Sequence, residues 1–220
     1  MKLSLPADEL TLYCLRQING IFPDRDIVPV EIKPVIDSAL ERIEACFEGV
    51  KWPHYSENGD VTFSHLMTDQ YATFLYFMSN SAFQMELPTE ISSKFYALNK
   101  ALHSVEIVYQ ATLPEKFLLV HPVSTVLGRA NYGNYLTVYQ GVTVGSNLTG
   151  ESPTIGTGVA LFGGSRVIGD SMVGNNSMVS AGTTIINTNV PENTVAFMQD
   201  GILKNKNTKR NVIDYVFKGL

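Results

Sequence analysis

Between Ile155 and Ile185 an aliphatic residue returns at every sixth position: Ile155, Leu161, Val167, Val173, Val179 and Ile185. Four residues after the first five stand Val159, Ser165, Ser171, Ser177 and Thr183, all small or β-branched. A period of six fits neither the 3.6 of a helix nor the 2 of a strand. It is the mark of a β-helix, in which each hexapeptide supplies a short strand and a corner, and stacking buries what no single repeat could. Val120, Val126, Tyr132, Val138 and Val144 keep the same step upstream, with Ser124, Ala130, Leu136 and Val142 at the inner small position. The gap from Val144 to Ile155 is eleven, so about five extra residues around Asn147 to Glu151 are expected to bulge out as a loop.

Composition supports the coil. Twelve of the seventeen glycines lie between Gly128 and Gly182, where tight corners call for backbone angles that other residues resist. No lysine occurs between Lys116 and Lys204, and flanks so poor in charge are expected to pack against something. The net charge of −5 argues against nucleic acid or an anionic membrane as partner. No apolar run is long enough to span a membrane. Cys14 and Cys46 lie in helical patterns and the start of the chain lacks the pattern of a signal peptide, so a reducing cytoplasm is the expected location.

The chain divides into an α-helical domain over 1–104, a β-helix over 105–190 and a cap over 191–220, an α+β architecture. After Pro34, placed as for a first helical turn, Ile36, Ala39, Leu40, Ile43 and Phe47 keep helical spacing. Tyr71, Phe74, Leu75 and Met78 follow Asp69 in the same way, and Ile91, Phe95, Leu98 and Leu102 follow Pro88. Trp52 to Asp60 reads as a loop. The tail, basic at Lys204, Lys206, Lys209 and Arg210 and then apolar, is expected to cover the open end of the coil.

His121 is the leading candidate for chemistry, a single imidazole on a coil almost free of ionisable groups, where it serves either as a general base or as a polar corner residue. His54 falls in the expected loop, His65 before a helix and His103 at a helix end. No two are spaced as metal ligands, so no metal site is expected.

Val105-Glu106-Ile107, His121, Leu127-Gly128, the run Gln140 to Gly145 and the run Pro153 to Thr183 together resemble the serine acetyltransferases of the hexapeptide acyltransferase superfamily. The resemblance implies a left-handed parallel β-helix, a homotrimer or a dimer of trimers, and acetyl-coenzyme A as donor in the groove between neighbouring coils. It places the catalytic histidine on His121 and its partner carboxylate on Glu106, and contacts to the pantetheine arm on Gly145, Ser146, Gly163 and Ala181. For a small-molecule acceptor it points to Asp69, His65, Glu151 and Ser152. Two acids expected around a serine ammonium fall on Val120 and His65, and the Arg-His pair expected at its carboxylate falls on Glu151 and Ser152. A glutamate repels a carboxylate where an arginine fork would clasp it. These departures point to O- or N-acetylation of another acceptor, such as a sugar or nucleotide sugar. The alternatives are a true serine O-acetyltransferase of cysteine biosynthesis and a non-catalytic trimeric scaffold.

Overall fold

The computed structural model describes residues 1–218. Four helices, α1 (Ala7–Ile21), α2 (Pro29–Phe47), α3 (Thr68–Gln84) and α4 (Thr89–His103), precede a parallel β-solenoid of about five turns. The start of α2 lies five residues earlier than the sequence pattern implies. Pro29 occupies its first turn, and the Glu31 carboxylate accepts the Val28 N–H at 2.9 Å, which closes the helix end. Pro34 therefore sits in the second turn, where the carbonyl it leaves unbonded belongs to the exposed Val30. Helix α3 is buried on every side from Gln70 to Ala82, because α2, α4 and the strand Phe117–Val120 all pack on it. Its polar residues bond to the coil and to α1 and α2. Tyr76 donates its hydroxyl to the Ala111 carbonyl and accepts the Leu113 N–H, and Asn80 donates to the Tyr109 carbonyl.

Trp52 to Asp60 is more ordered than the expected loop. Ser56–Glu57 and Asp60–Phe63 form a hairpin through Asn58 and Gly59, both at positive φ, and Lys2–Leu3 joins it in parallel. Asn-Gly is the dipeptide that a two-residue hairpin turn prefers.

The solenoid has three faces. The first stacks Glu106–Ile107, Val126–Leu127, Thr143–Gly145, Arg166–Ile168 and Thr184–Ile186. The second stacks Phe117–Val120, Leu136–Tyr139, Ala160–Leu161, Met178–Val179 and Thr194–Gln199. The third stacks Asn131–Tyr132, Thr154–Ile155 and Met172–Val173. Registers confirm the period from Tyr132 onward: Val138 lies over Leu161 and Val179, Val144 over Val167 and Ile185, Tyr132 over Ile155 and Val173. All of these except Tyr132 are fully buried.

The first turn departs from it. Leu119, not Val120, stacks on Val138, and Leu127, not Val126, stacks on Val144. Eight residues therefore separate successive inward positions at the corner that carries His121. In later coils a left-handed glycine, Gly141, Gly164 or Gly182, makes that corner. The Gly141 N–H bonds to the Val123 carbonyl, which aligns Ser124 with Gly141 and leaves His121 and Pro122 as two added residues. His121 and Ser124 both take positive φ (47° and 60°), a conformation costly outside glycine and frequent at functional sites.

Strand stacking continues past Pro191. Thr194–Gln199 extends the second face and turns into the antiparallel strand Ile202–Asn207, whose lysines face an otherwise open edge. The chain then returns along the coil to the helices. The Val212 N–H bonds to Asn176, the Lys51 N–H to the Val216 carbonyl, and buried Phe217 meets Tyr135 edge-on.

Candidate active site

The added pair His121-Pro122 lifts the imidazole off the wall of the coil toward the start of α3. Asp69, in the first turn of that helix, accepts the His121 backbone N–H at 3.2 Å, and its Oδ2 lies 3.9 Å from the ring Nδ1. The ring is 78 % exposed and the Asp69 side chain 14 %. They line a cavity of about 240 Å³ together with Thr68, His103, Ser104 and Val123. A carboxylate beside one ring nitrogen leaves the other free, the arrangement by which an imidazole takes a proton from a hydroxyl.

Glu106 does not meet His121 within the chain. Its carboxylate receives the Lys100 ammonium at 2.6 Å at the end of α4. His65 is placed elsewhere too: its Nδ1 is 2.8 Å from the Ser4 hydroxyl and its ring packs on Tyr13. Val120 is buried.

His103 was passed over as a helix-end residue. In the structure it closes the back of the cavity, edge-on to Tyr71 and 2.8 Å through Nδ1 from the Asn99 side-chain oxygen. Burial lowers its pKa below the ordinary 6.5, with Asp69 opposing the shift. It lies two residues before the Val105-Glu106-Ile107 segment, outside the residues that carry the resemblance.

The remaining candidates lie along two edges of the prism. Gly163 and Ala181 occur at the His121 edge, below that residue in successive coils. Gly145 and Ser146 occur at the edge between the first and third faces, where the expected loop emerges. That loop is built on Asn147, whose side-chain oxygen accepts the N–H groups of Thr149 and Glu151 at 3.0 Å each. The Glu151 carboxylate receives the Asn147 amide and the Thr149 hydroxyl, which lower its pKa, while Ser146 and Ser152 share a 2.9 Å hydrogen bond. Leu148 stands fully exposed at the tip. Among the described residues no group of three or more His, Cys, Asp or Glu side chains is placed to hold a metal ion, and no helix is long and apolar enough to cross a membrane.

The chain superposes on the serine acetyltransferase of Neisseria gonorrhoeae with a TM-score of 0.71, covering 96 % of this chain and 84 % of that one at 15 % identity. For the serine acetyltransferase of Brucella abortus the TM-score is 0.68, with 88 % and 82 % covered at 17 % identity. In sequence it is 32 % identical over 110 residues to the serine acetyltransferase of Synechococcus elongatus, 47 % of this chain and 44 % of that one. It is 33 % identical over 112 residues to that of Bacillus subtilis, 45 % and 50 %.

In fold, and in sequence over about half its length, the chain resembles serine acetyltransferases.

No family model matches it, and the chain spans about half the length of the curated relatives it matches. A further serine acetyltransferase of the same fold, at a TM-score of 0.67 and 15 % identity, was solved as a complex with CoA. The hexapeptide coil and its preceding helices are therefore the frame shared with these proteins.

Proposed function

We propose that the chain is an acetyl-coenzyme A-dependent O-acetyltransferase with His121 as general base and serine as acceptor. The observation that carries this reading is the two-residue addition that sets an exposed imidazole beside a carboxylate in a cavity sized for a small molecule. The acceptor hydroxyl gives its proton to the free His121 nitrogen as its oxygen attacks the thioester carbonyl. The carbon–sulfur bond then breaks, and the imidazolium returns the proton to the departing thiolate. Asp69 orients the ring and offsets its positive charge in between.

The departures at Val120, Glu151 and Ser152 favoured a sugar or nucleotide sugar. Serine has the better support, because every relative and solved structure named above is a serine acetyltransferase. Asp69 also supplies, from α3, the anionic group that an ammonium needs. Glu151 is held within its own loop by Asn147 and Thr149.

Assembly as a homotrimer follows from the donor. Gly145 and Ser146 lie on a different edge from Gly163 and Ala181, so one pantetheine arm touches both sets only where two coils stand side by side. Exposed Val123, Met172 and Ile186 then find cover at these contacts. Light scattering should give about three or six times 24.2 kDa.

Release of free thiol from acetyl-coenzyme A in the presence of serine, and of a panel of sugars, tests the reading. Serine-dependent turnover that falls about 10²- to 10⁴-fold in His121→Ala is the expected result. Turnover with sugars alone overturns the acceptor, and no His121-dependent turnover with any of them overturns the enzyme.

A further inference from the structure

The cavity holds a second imidazole whose neutral tautomer is fixed by its neighbours. Asn99, buried in α4, donates its side-chain N–H to the Ala72 carbonyl at 2.8 Å. Turning this amide over would set its oxygen against that carbonyl, so the oxygen must face His103. An amide oxygen only accepts. His103 Nδ1, 2.8 Å away, therefore carries the hydrogen, and a neutral ring leaves Nε2 as a bare lone pair. With Nδ1 tied back to its own helix, the ring edge bearing Nε2 is the one left to the cavity that His103 lines with Asp69 and His121.

Neither of the residues aligned with the expected ammonium-binding acids is available there. Val120 is in the core and His65 is engaged by Ser4 and Tyr13. Beside His121 and the hydroxyl residues Thr68 and Ser104, the cavity offers one carboxylate and a second imidazole lone pair, two acceptors for a group rich in N–H donors.

We propose that His103 is a specificity-determining residue, its Nε2 accepting a hydrogen bond from the ammonium of the acceptor while Asp69 supplies the charge. This rests on the reading of the cavity as the site of an amino-acid acceptor. A sugar without an amino group has no such cation to place there, so the pair selects for an amine next to the reacting hydroxyl.

Steady-state kinetics on His103→Phe and His103→Gln test it in the full chain. Phenylalanine keeps a ring against Tyr71 and lacks the acceptor, whereas glutamine retains one. Loss of a hydrogen bond to a charged group is expected to raise KM for serine about tenfold or more in H103F. The kcat and the KM for acetyl-coenzyme A should stay within about threefold, with H103Q recovering part of the loss. An unchanged serine KM, or a loss confined to kcat, overturns the inference and leaves serine acetylation standing. Absence of serine turnover in the unaltered protein refutes the function reading instead. Nitrogen-15 spectra of histidine-labelled protein decide in either case, with the His103 signals assigned by their loss in H103F. A bare Nε2 that moves when serine is added is expected, and a protonated Nε2 in the free protein, or one indifferent to serine, overturns the inference.

Discussion

Asp69 and Glu106 compete for the role of partner to His121, and one pair of isosteric substitutions separates them. Asp69 Oδ2 lies 3.9 Å from His121 Nδ1. Two unit charges at about that distance attract by about 1 kcal/mol in water and about 4 kcal/mol at an effective dielectric of 20. A ring 78 % exposed beside a carboxylate 14 % exposed belongs in the lower part of that range. About 1–2 kcal/mol of support for the imidazolium then corresponds to roughly a five- to thirty-fold effect on kcat. Asp69→Asn removes the charge and keeps an oxygen for the His121 N–H, so the corner should survive. Glu106→Gln loses only a surface ion pair with Lys100. Thiol release measured with both substrates saturating should fall by the stated factor in D69N and stay within about twofold in E106Q. Wild-type rates in D69N with a tenfold or larger loss in E106Q would refute the argument, and would mean that Glu106 reaches an imidazole other than that of its own chain.

Three further outcomes follow from the packing. A Cβ on Gly133 would meet the Gly156 carbonyl carbon and the Thr157 nitrogen of the next coil at 2.6 Å each, so Gly133→Ala should cost about 1–3 kcal/mol or more. Gly182→Ala meets nothing within 4 Å and carries only the strain of a φ of +68°, about 1 kcal/mol, so thermal melting should drop further for Gly133. Burial pushes the Cys14 and Cys46 thiols up to about 12, and iodoacetamide at about pH 8 should modify neither until denaturant is added. The folded pKa of His103 is below its unfolded value of 6.5, so its contribution to stability is whole above that value. It shrinks as pH falls through 6.5 toward the folded value, because the unfolded chain binds the proton first. Urea midpoints followed between about pH 5 and 7.5 should slope less in H103F than in the unaltered protein.

The repeat could be read directly because a solenoid is close to one-dimensional. Each hexapeptide meets only its neighbours in the stack, so burial is written into the chain at a fixed interval, and the coil from Tyr132 onward and the loop at Asn147 needed nothing else. Regular spacing could not show where that interval breaks. Val120 and Val126 keep the period on paper, yet Leu119 and Leu127 face inward, because the stack tolerates two added residues at a corner and recovers its register beyond them. Asn58-Gly59 was legible as a hairpin and was read as a loop for want of a flanking pattern.

The amino-acid sequence by itself determined the helical first half and the triangular coil and singled out His121 as the candidate, since each is set by neighbours along the chain. Tertiary structure alone decided which groups that imidazole works beside. Asp69 reaches it from fifty-two positions upstream, and His103 lines the same cavity from a different helix. Glu106, in the strand that follows that helix, is claimed by Lys100. The partners of a side chain are fixed by how α3 and α4 dock on the first coil, and that docking leaves no periodic trace in the chain.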